Sequence, residues 1–167
     1  NKMRLGTLRQ AITLAYLEDQ VNISQIEHPI VIIGDGYGLM ASLIFQSFSQ
    51  IKSKIVLINL TQNLLIDAFY IYESLTDINM ALVKDEEQYN QALNSDEVQF
   101  ILIQADNSKL ISKSNIGIAI NICSMQEMNP QIIQEYFDQL RNSKDGNTLF
   151  YCANRVEKTL PDGTMVS

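Results

Sequence analysis

Short apolar runs of strand length alternate with segments whose apolar residues recur at helical spacing, and the alternation continues along almost the whole chain. The run Ile-Val-Ile-Ile at residues 30–33 is apolar at every position, which is typical of a strand buried on both faces of a parallel sheet. Further strands are predicted at residues 55–58, 80–83, 98–103, 116–122 and 148–153, and helices at 5–19, 39–48, 64–72, 86–93 and after residue 129. This order predicts an α/β fold: a doubly wound, mostly parallel sheet with helices on both faces.

Two of the predicted helices begin with recognisable residues. Thr61 precedes the apolar residues of the third helix and is predicted to cap it. Asn129 followed by Pro130 is the order of a cap residue and a first-turn proline. Ligands of doubly wound sheets bind beyond the carboxyl ends of the strands. His28 precedes the first strand, so we expect it at the opposite edge as a surface residue.

The size and composition of the chain restrict its function. The 167 residues suit a single domain, and no apolar run is longer than a strand, so we expect a cytoplasmic protein with no membrane partner. The net charge is −7 and the twelve Lys and Arg residues are scattered along the sequence, which argues against nucleic acid as a partner. One histidine, together with Cys123 and Cys152 outside any metal-binding spacing, predicts no metal site.

Three glycines alternate directly after the first apolar run, in Val-Ile-Ile-Gly-Asp-Gly-Tyr-Gly-Leu-Met-Ala. A strand before this glycine turn (residues 34–38) and a helix after it predict a cofactor site, because glycine lets the backbone approach a ligand at a helix N-terminus. Read from Gly36, the turn fits the GxGxxA form of a dinucleotide site, which expects an acid about 20 residues later. Read from Gly34, it fits the GxGxG form of class I S-adenosylmethionine methyltransferases. The second strand ends in Asn59 where both would have an acid, so both interpretations stay open.

Two later segments resemble a family of sugar O-methyltransferases: Gly-Ile-Ala-Ile-Asn-Ile-Cys-Ser-Met-Gln-Glu-Met at residues 117–128 and Leu-Phe-Tyr-Cys-Ala-Asn-Arg at 149–155. That family has a glycine turn with an aromatic residue before its last glycine, a strand ending in Asn-x-x-Ser-x-Gln-Glu-Met, and a later Tyr-x-x-Asn strand. The resemblance covers about residues 31–155. It implies a Rossmann-like class I methyltransferase core, with S-adenosylmethionine as cofactor and a sugar, small or in a polysaccharide, as acceptor.

The resemblance also bears on what surrounds the domain. This fold normally adds a closing pair of strands after the fifth, so we expect residues 1–167 to form a single methyltransferase-like domain that lacks its C-terminal strands and belongs to a longer protein. We expect the acceptor pocket to need residues beyond Ser167 or a second copy of the chain in a homo-oligomer.

The resemblance and the positions after strands together predict the site residues. Those predicted to bind the cofactor are Gly34, Asp35, Gly36, Tyr37, Gly38, Asn59, Asp106, Asn107 and Asn121. Within this set, Asp106 and Asn107 are assigned to the adenine amino group, and Tyr37 to the methionine end. Side chains that both donate and accept are predicted to bind sugar hydroxyls: Ser124, Gln126 and Asn154. Glu127 is the predicted general base, since it follows the strand at 116–122. The alternatives are a first-turn acid placed against a helix dipole for Glu127, and a solvated turn pair for Asp106 and Asn107. The residues predicted to belong to the core are Tyr136, Phe137, Met40, Met125 and Met128.

Two departures from the family pattern keep other functions open. Ile32 stands where the family has an acid two residues before the first glycine, and Asn59 stands where it has an acid at the end of the second strand. An amide there gives up the charge-assisted hydrogen bond to a ribose hydroxyl. The alternatives are an NAD(P)- or flavin-linked oxidoreductase that uses the same turn, and a non-catalytic methyltransferase-like domain.

Overall fold

Six parallel strands form one sheet in the order β3-β4-β2-β1-β5-β6, in a computed structural model that describes residues 5–48, 51–144, 146–155, 158–159 and 165–166. The strands are β1 (Ile30–Ile33), β2 (Ile55–Asn59), β3 (Met80–Val83), β4 (Phe100–Gln104), β5 (Ile118–Ile122) and β6 (Leu149–Ala153). The helices are α1 (Leu5–Val21), α2 (Leu39–Ser47), α3 (Thr61–Ser74), α4 (Glu86–Asn94) and α5 (Pro130–Arg141). Short 3₁₀ segments cover Ile23–Gln25, Ala105–Lys113 and Met125–Glu127. The predicted doubly wound parallel sheet is confirmed.

Helices cover both faces of this sheet. The core on one face joins β1, β2, β4 and β5 to α1, α2 and α3. The core on the other face joins the same strands to α4, α5 and the 3₁₀ segment Ala105–Lys113. Successive residues of β1 alternate between the two cores, with Ile30 and Ile32 in the first and Val31 and Ile33 in the second. Because each residue of β1 is buried, the strand reads as a continuous apolar run.

The strand order reverses at β1, which is where the site is expected. β1 pairs with β2 on one side and with β5 on the other. The strands β2, β3 and β4 therefore lie on one side of β1, and the later strands β5 and β6 lie on the other side. Ile33, the last residue of β1, lies beside Ile58 of β2 and Asn121 of β5. The glycine turn therefore begins at the topological switch point of the sheet, where doubly wound proteins bind their ligands.

β3 lies at the edge of the sheet although it follows β2 in sequence. β4 occupies the position between them. The first four residues of β4 are buried, whereas β3 buries only Val83 and leaves Leu82 51% exposed. β4 is covered in the inner position, whereas β3 is left partly exposed because an edge strand has fewer neighbours to cover it.

The start of α3 differs from the sequence prediction. Thr61 is the first residue of α3 rather than its cap, and Leu60 precedes the helix without a side-chain cap. The Thr61 hydroxyl instead accepts a hydrogen bond from Gln104 Nε2 at the end of β4 (3.1 Å).

Beyond β6, Lys158–Thr159 (β7) pairs antiparallel with Met165–Val166 (β8) as a separate two-stranded sheet. None of the helices in the described ranges has the length and apolar character needed to cross a membrane.

Candidate functional site

A cavity of about 660 Å³ opens at the carboxyl ends of β1, β2, β4 and β5, on the face covered by α5. We call it the carboxyl-edge cavity. Its wall includes Gly34 after β1, Leu60 and Asn63 at the start of α3, and the residues that follow β4 and β5. Its volume lies within the range of roughly 300–1,000 Å³ that small-molecule sites occupy.

Five of the predicted site residues line this cavity: Gly34, Asn59, Asp106, Ser124 and Glu127. Eight others do not belong to its lining: Asp35, Gly36, Tyr37, Gly38, Asn107, Asn121, Gln126 and Asn154. The structure therefore brings the ends of four strands together as predicted. It also gives several predicted ligand contacts another role.

Contacts with α3 constrain the conformation of the glycine turn. Gly34, Gly36 and Gly38 all have positive φ, at 72°, 87° and 60°. A Cβ on Gly38 would lie 2.7 Å from the Asp67 carbonyl oxygen, whereas a Cβ on Gly36 would meet nothing within 4 Å. The Tyr37 ring is 62% exposed and packs against Tyr70 of α3, with 5.4 Å between centroids. Tyr37 was predicted to cover the cofactor, but in this structure its ring rests on α3.

The Asp35 carboxyl group occupies the N-terminus of α2. It accepts hydrogen bonds from the backbone N–H groups of Met40 (3.0 Å) and Ala41 (2.9 Å). Burial raises the pKa of Asp35, although these bonds act in the opposite direction. A helix N-terminus is a natural anion site because its first N–H groups lack partners within the helix. In this protein a side chain of the chain itself fills that site.

The Asn59 side chain is hydrogen-bonded to a buried carboxylate. Asn59 Nδ2 donates to Asp67 Oδ2 (2.8 Å), and Asn59 Oδ1 accepts from the Leu60 backbone N–H (3.0 Å). The other oxygen of Asp67 accepts from the Gly38 backbone N–H (2.9 Å), and Asp67 is 0% exposed. Burial raises the pKa of Asp67 to about 6, and the charge of Asp35 adds to this. An amide ends β2 because a carboxylate at that position would face Asp67. In this structure the Asn59 amide makes these structural contacts while the residue lines the cavity, and its ribose contact stays a prediction.

Four of the predicted site residues form a hydrogen-bonded group that we call the amide network: Asn121, Ser124, Gln126 and Asn154. Asn121 Nδ2 and Ser124 Oγ both donate to the Ile33 carbonyl oxygen at the end of β1 (2.9 Å each). Asn121 Oδ1 accepts from Asn154 Nδ2 (2.9 Å), and Asn154 Oδ1 accepts from the Gln126 backbone N–H (3.2 Å).

The amide network ties the carboxyl ends of β1, β5 and β6 together. Asn121 is 0% exposed, and both of its side-chain polar atoms are already bonded within the protein. Gln126 Oε1 accepts from the Arg155 backbone N–H (2.9 Å). The side chains of Asn121 and Asn154 and the Gln126 Oε1 atom thus hold the strand ends, and the ligand contacts of these three residues stay a prediction.

The wall formed by α5 was not predicted from the sequence. Ile132, Glu135, Tyr136 and Gln139 line the cavity from this helix. Their spacing of three, one and three residues places them on one helix face, which is the signal that could have identified them. Tyr136 was predicted to be a core residue; it is only 3% exposed, yet it also lines the cavity. Burial raises the pKa of its hydroxyl group to about 12, with further contributions from the charges of Glu135 and Asp106.

Acidic side chains dominate the charge around the carboxyl-edge cavity. Three carboxylic acids line it (Asp106, Glu127 and Glu135) together with one lysine, Lys109. Gln139 supplies an acceptor: its Nε2 donates to Ser108 Oγ (3.0 Å), while its Oε1 is buried without a hydrogen-bond partner among the described residues. The cavity is therefore suited to a ligand that is not anionic and that offers an N–H or O–H donor. In the part of the chain that the structure describes, no group of three or more His, Cys, Asp or Glu side chains could hold a metal ion.

Comparisons with known proteins give a structural likeness but no match to a family model or a curated protein. A solved structure described as "DhpI-SAH complex structure" superposes with a TM-score of 0.45 and 10% sequence identity, over 96% of this chain and 72% of that chain. At this identity and TM-score, the likeness does not show which ligand this chain binds. The resemblance to sugar O-methyltransferases thus stays a prediction.

Proposed function

We propose that this chain binds S-adenosylmethionine in the carboxyl-edge cavity and acts as a methyltransferase. The observation that supports this most is the state of the glycine turn, in which the chain's own carboxyl groups occupy the N–H groups that a phosphate would need. Asp35 takes the N–H groups of Met40 and Ala41, and Asp67 takes that of Gly38.

This arrangement argues against the dinucleotide alternative. A dinucleotide places its pyrophosphate on the free N–H groups of the helix that follows the glycine turn. In this protein two of those groups are bonded to Asp35, and the carboxyl-edge cavity is lined by three carboxylic acids and one lysine. Two negatively charged phosphates would be repelled there, whereas a positively charged sulfonium would be attracted.

The residues around the cavity fit the parts of this cofactor. Gln139 Oε1 is an unused acceptor for the N–H donors of an adenine amino group, and Asp106 lines the same cavity. Asn63 is exposed at the start of α3, next to the position where Asn59 was expected to act, and it is our candidate for a ribose hydroxyl.

The proposed mechanism relies on alignment and on one base. When bound, S-adenosylmethionine supplies a methyl group on a positively charged sulfur. The walls of the cavity hold donor and acceptor in line, which is the main requirement of such a transfer. Glu127 follows β5 with an exposed side chain that lines the cavity, and it accepts the proton of the acceptor hydroxyl group. A sugar hydroxyl as acceptor rests on the sequence resemblance.

Calorimetry with S-adenosylhomocysteine and with NAD tests the cofactor. We expect the wild-type protein to bind S-adenosylhomocysteine and not NAD. Gln139→Leu should weaken that binding roughly 3–10-fold, because one hydrogen bond is lost. Gln134→Leu is the matched control, since Gln134 lies on α5 but outside the cavity lining. Binding of NAD alone would establish the oxidoreductase alternative, and binding of neither ligand would favour a non-catalytic domain.

The base is tested separately with Glu127→Gln, which keeps the size of the side chain and removes its basicity. In an assay that measures S-adenosylhomocysteine formation with a panel of sugars, we expect turnover to fall roughly 10²–10⁴-fold while cofactor affinity stays the same. Unchanged turnover would leave alignment alone as the source of catalysis.

A further inference from the structure

A second cavity, of about 360 Å³, lies at the opposite edge of the sheet and is lined by lysines. We call it the amino-edge cavity. Lys52 and Lys54 precede β2, Lys113 ends the 3₁₀ segment before β5, and Lys144 follows α5. Four of the twelve Lys and Arg residues of an acidic chain thus meet at one recess, although they come from three separate segments of the sequence. One carboxylic acid, Glu27, is part of the same lining.

Two of these lysines are anchored in the wall and two are not. Lys54 Nζ donates to the carbonyl oxygens of Ser95 and Val98, just after α4. Lys113 Nζ lies 3.2 Å from Glu86. Lys52 and Lys144 are exposed, and their ammonium groups have no hydrogen bond or ion pair with the residues that the structure describes. Contacts within the chain therefore account for Lys54 and Lys113 but not for Lys52 and Lys144.

A buried acceptor without a partner lies at the same cavity. Asn115 lines it, and Asn115 Oδ1 is buried with no hydrogen-bond partner among the described residues. A buried acceptor that lacks a donor costs free energy, so native proteins usually satisfy such atoms with a ligand, water or another side chain. The cavity thus offers positive charge together with one acceptor that needs an O–H or N–H donor.

We propose that the amino-edge cavity binds a small molecule bearing a phosphate group, with the phosphate among the lysines and a hydroxyl group of the ligand donating to Asn115 Oδ1. Phosphate oxygens accept from several ammonium groups at once. The site is separate from the carboxyl-edge cavity, since the two lie at opposite ends of the strands and share no lining residue.

Phosphate and sulfate are matched probes for this site. At pH 8 both are mainly doubly charged, but only hydrogen phosphate has an O–H donor. In a titration of backbone amide NMR signals at low ionic strength, we expect saturable shifts near Asn115 and Gly117 with both ions. Phosphate should bind roughly 3–10-fold more tightly than sulfate, because it alone satisfies Asn115. Asn115→Leu should abolish this preference.

Charge variants complete the test. The double variant Lys52→Gln/Lys144→Gln should weaken the binding of both phosphate and sulfate by a factor of about 10 or more, because two charge-assisted contacts are lost. Arg9→Gln/Lys84→Gln removes the same charge from exposed residues outside the cavity and should have less than about a twofold effect, since distant surface charges are screened.

Three results would overturn the proposal: no saturable shift at the amino edge, equal weakening by the two double variants, or equal affinity for phosphate and sulfate in the wild-type protein. S-adenosylhomocysteine added to the same samples should shift signals at the other edge of the sheet. The two sites can therefore fail independently.

Discussion

The two edges of the sheet carry opposite charge, and they differ in whether their polar side chains are hydrogen-bonded within the chain. At the carboxyl edge, Asp35, Asp67 and Asn121 are bonded to groups of the chain itself. At the amino edge, Lys52 and Lys144 are exposed on long side chains. Helix N-termini collect at the first edge and helix C-termini at the second, so carboxylates suit one and lysines the other. The net charge of −7 conceals this separation.

This difference predicts where substitutions act. Asp35, Asp67 and the amide network of the carboxyl edge are hydrogen-bonded within the chain, so changes there should lower stability. The cations of the amino edge are largely exposed, so changes there should affect ligand binding far more than stability. The following variants test this contrast.

The largest effect is expected at the glycine turn. Gly38→Ala adds a Cβ that would lie 2.5 Å from Ile71 Cγ1, at a residue with φ of 60°. We expect the free energy of unfolding to fall by about 2–5 kcal/mol, from strain in the backbone and overpacking against α3. Gly36→Ala is the matched control, with positive φ but open space, and should cost only about 1–2 kcal/mol. Urea denaturation measures both; equal losses would show that α3 does not constrain the turn.

The second effect concerns pH. Asp67 has a folded-state pKa of about 6, above its ordinary value of 3.8, so the native protein holds this proton more tightly than the unfolded chain. Stability from this group is present below about pH 4 and is lost as the pH rises to about 6. Relative to Asp67→Asn, the wild-type free energy of unfolding should fall by about 2–3 kcal/mol across that window. Parallel profiles of the two proteins in urea titrations would contradict this.

A smaller loss is expected in the amide network. Asn154→Ala removes the donor to Asn121 Oδ1 and the acceptor for the Gln126 backbone N–H. Leaving such groups unpaired should cost about 1–2 kcal/mol of unfolding free energy. Thermal and urea denaturation test this directly. If Asn154 only contacted a substrate, the stability of the unliganded protein would not change.

The smallest effects are expected at the amino edge. Lys54→Met removes the ammonium bonded to the Ser95 and Val98 carbonyl oxygens and should cost about 1 kcal/mol. Lys113→Gln breaks an ion pair whose side chains are 47% and 55% exposed, and should cost less than about 0.5 kcal/mol. If Lys113→Gln lowered the free energy of unfolding as much as Gly38→Ala does, the expected difference in stability effects between the two edges would be wrong.

Much of the fold could be predicted from the sequence because its strands are continuous apolar runs. The position of β4 between β2 and β3 was not predicted, since it depends on which strand has both faces covered. The position of Gly34 at the switch point follows from a local pattern of strand, glycine and helix. Local patterns of this kind are the part of a fold that one sequence reveals best.

The roles of individual site residues were harder to predict. Asn121 was assigned to a ligand, but its amide bonds Ile33, which lies 88 residues earlier. The lysines of the amino edge are scattered in the sequence because they come from three segments: before β2, before β5 and after α5. Both cases depend on contacts between distant segments, which residue type and spacing do not determine.

The edge position of β3 has a consequence for the order in which the sheet assembles. β3 leaves the ribosome before β4, but it pairs with β4 alone, so it has no place in the sheet until β4 has paired with β2. β3 is held by one neighbour only, as is β6 at the opposite edge, and we expect edge strands to open before the inner ones. The amide protons of Met80–Val83 should therefore exchange with solvent by local opening, earlier than those of β1.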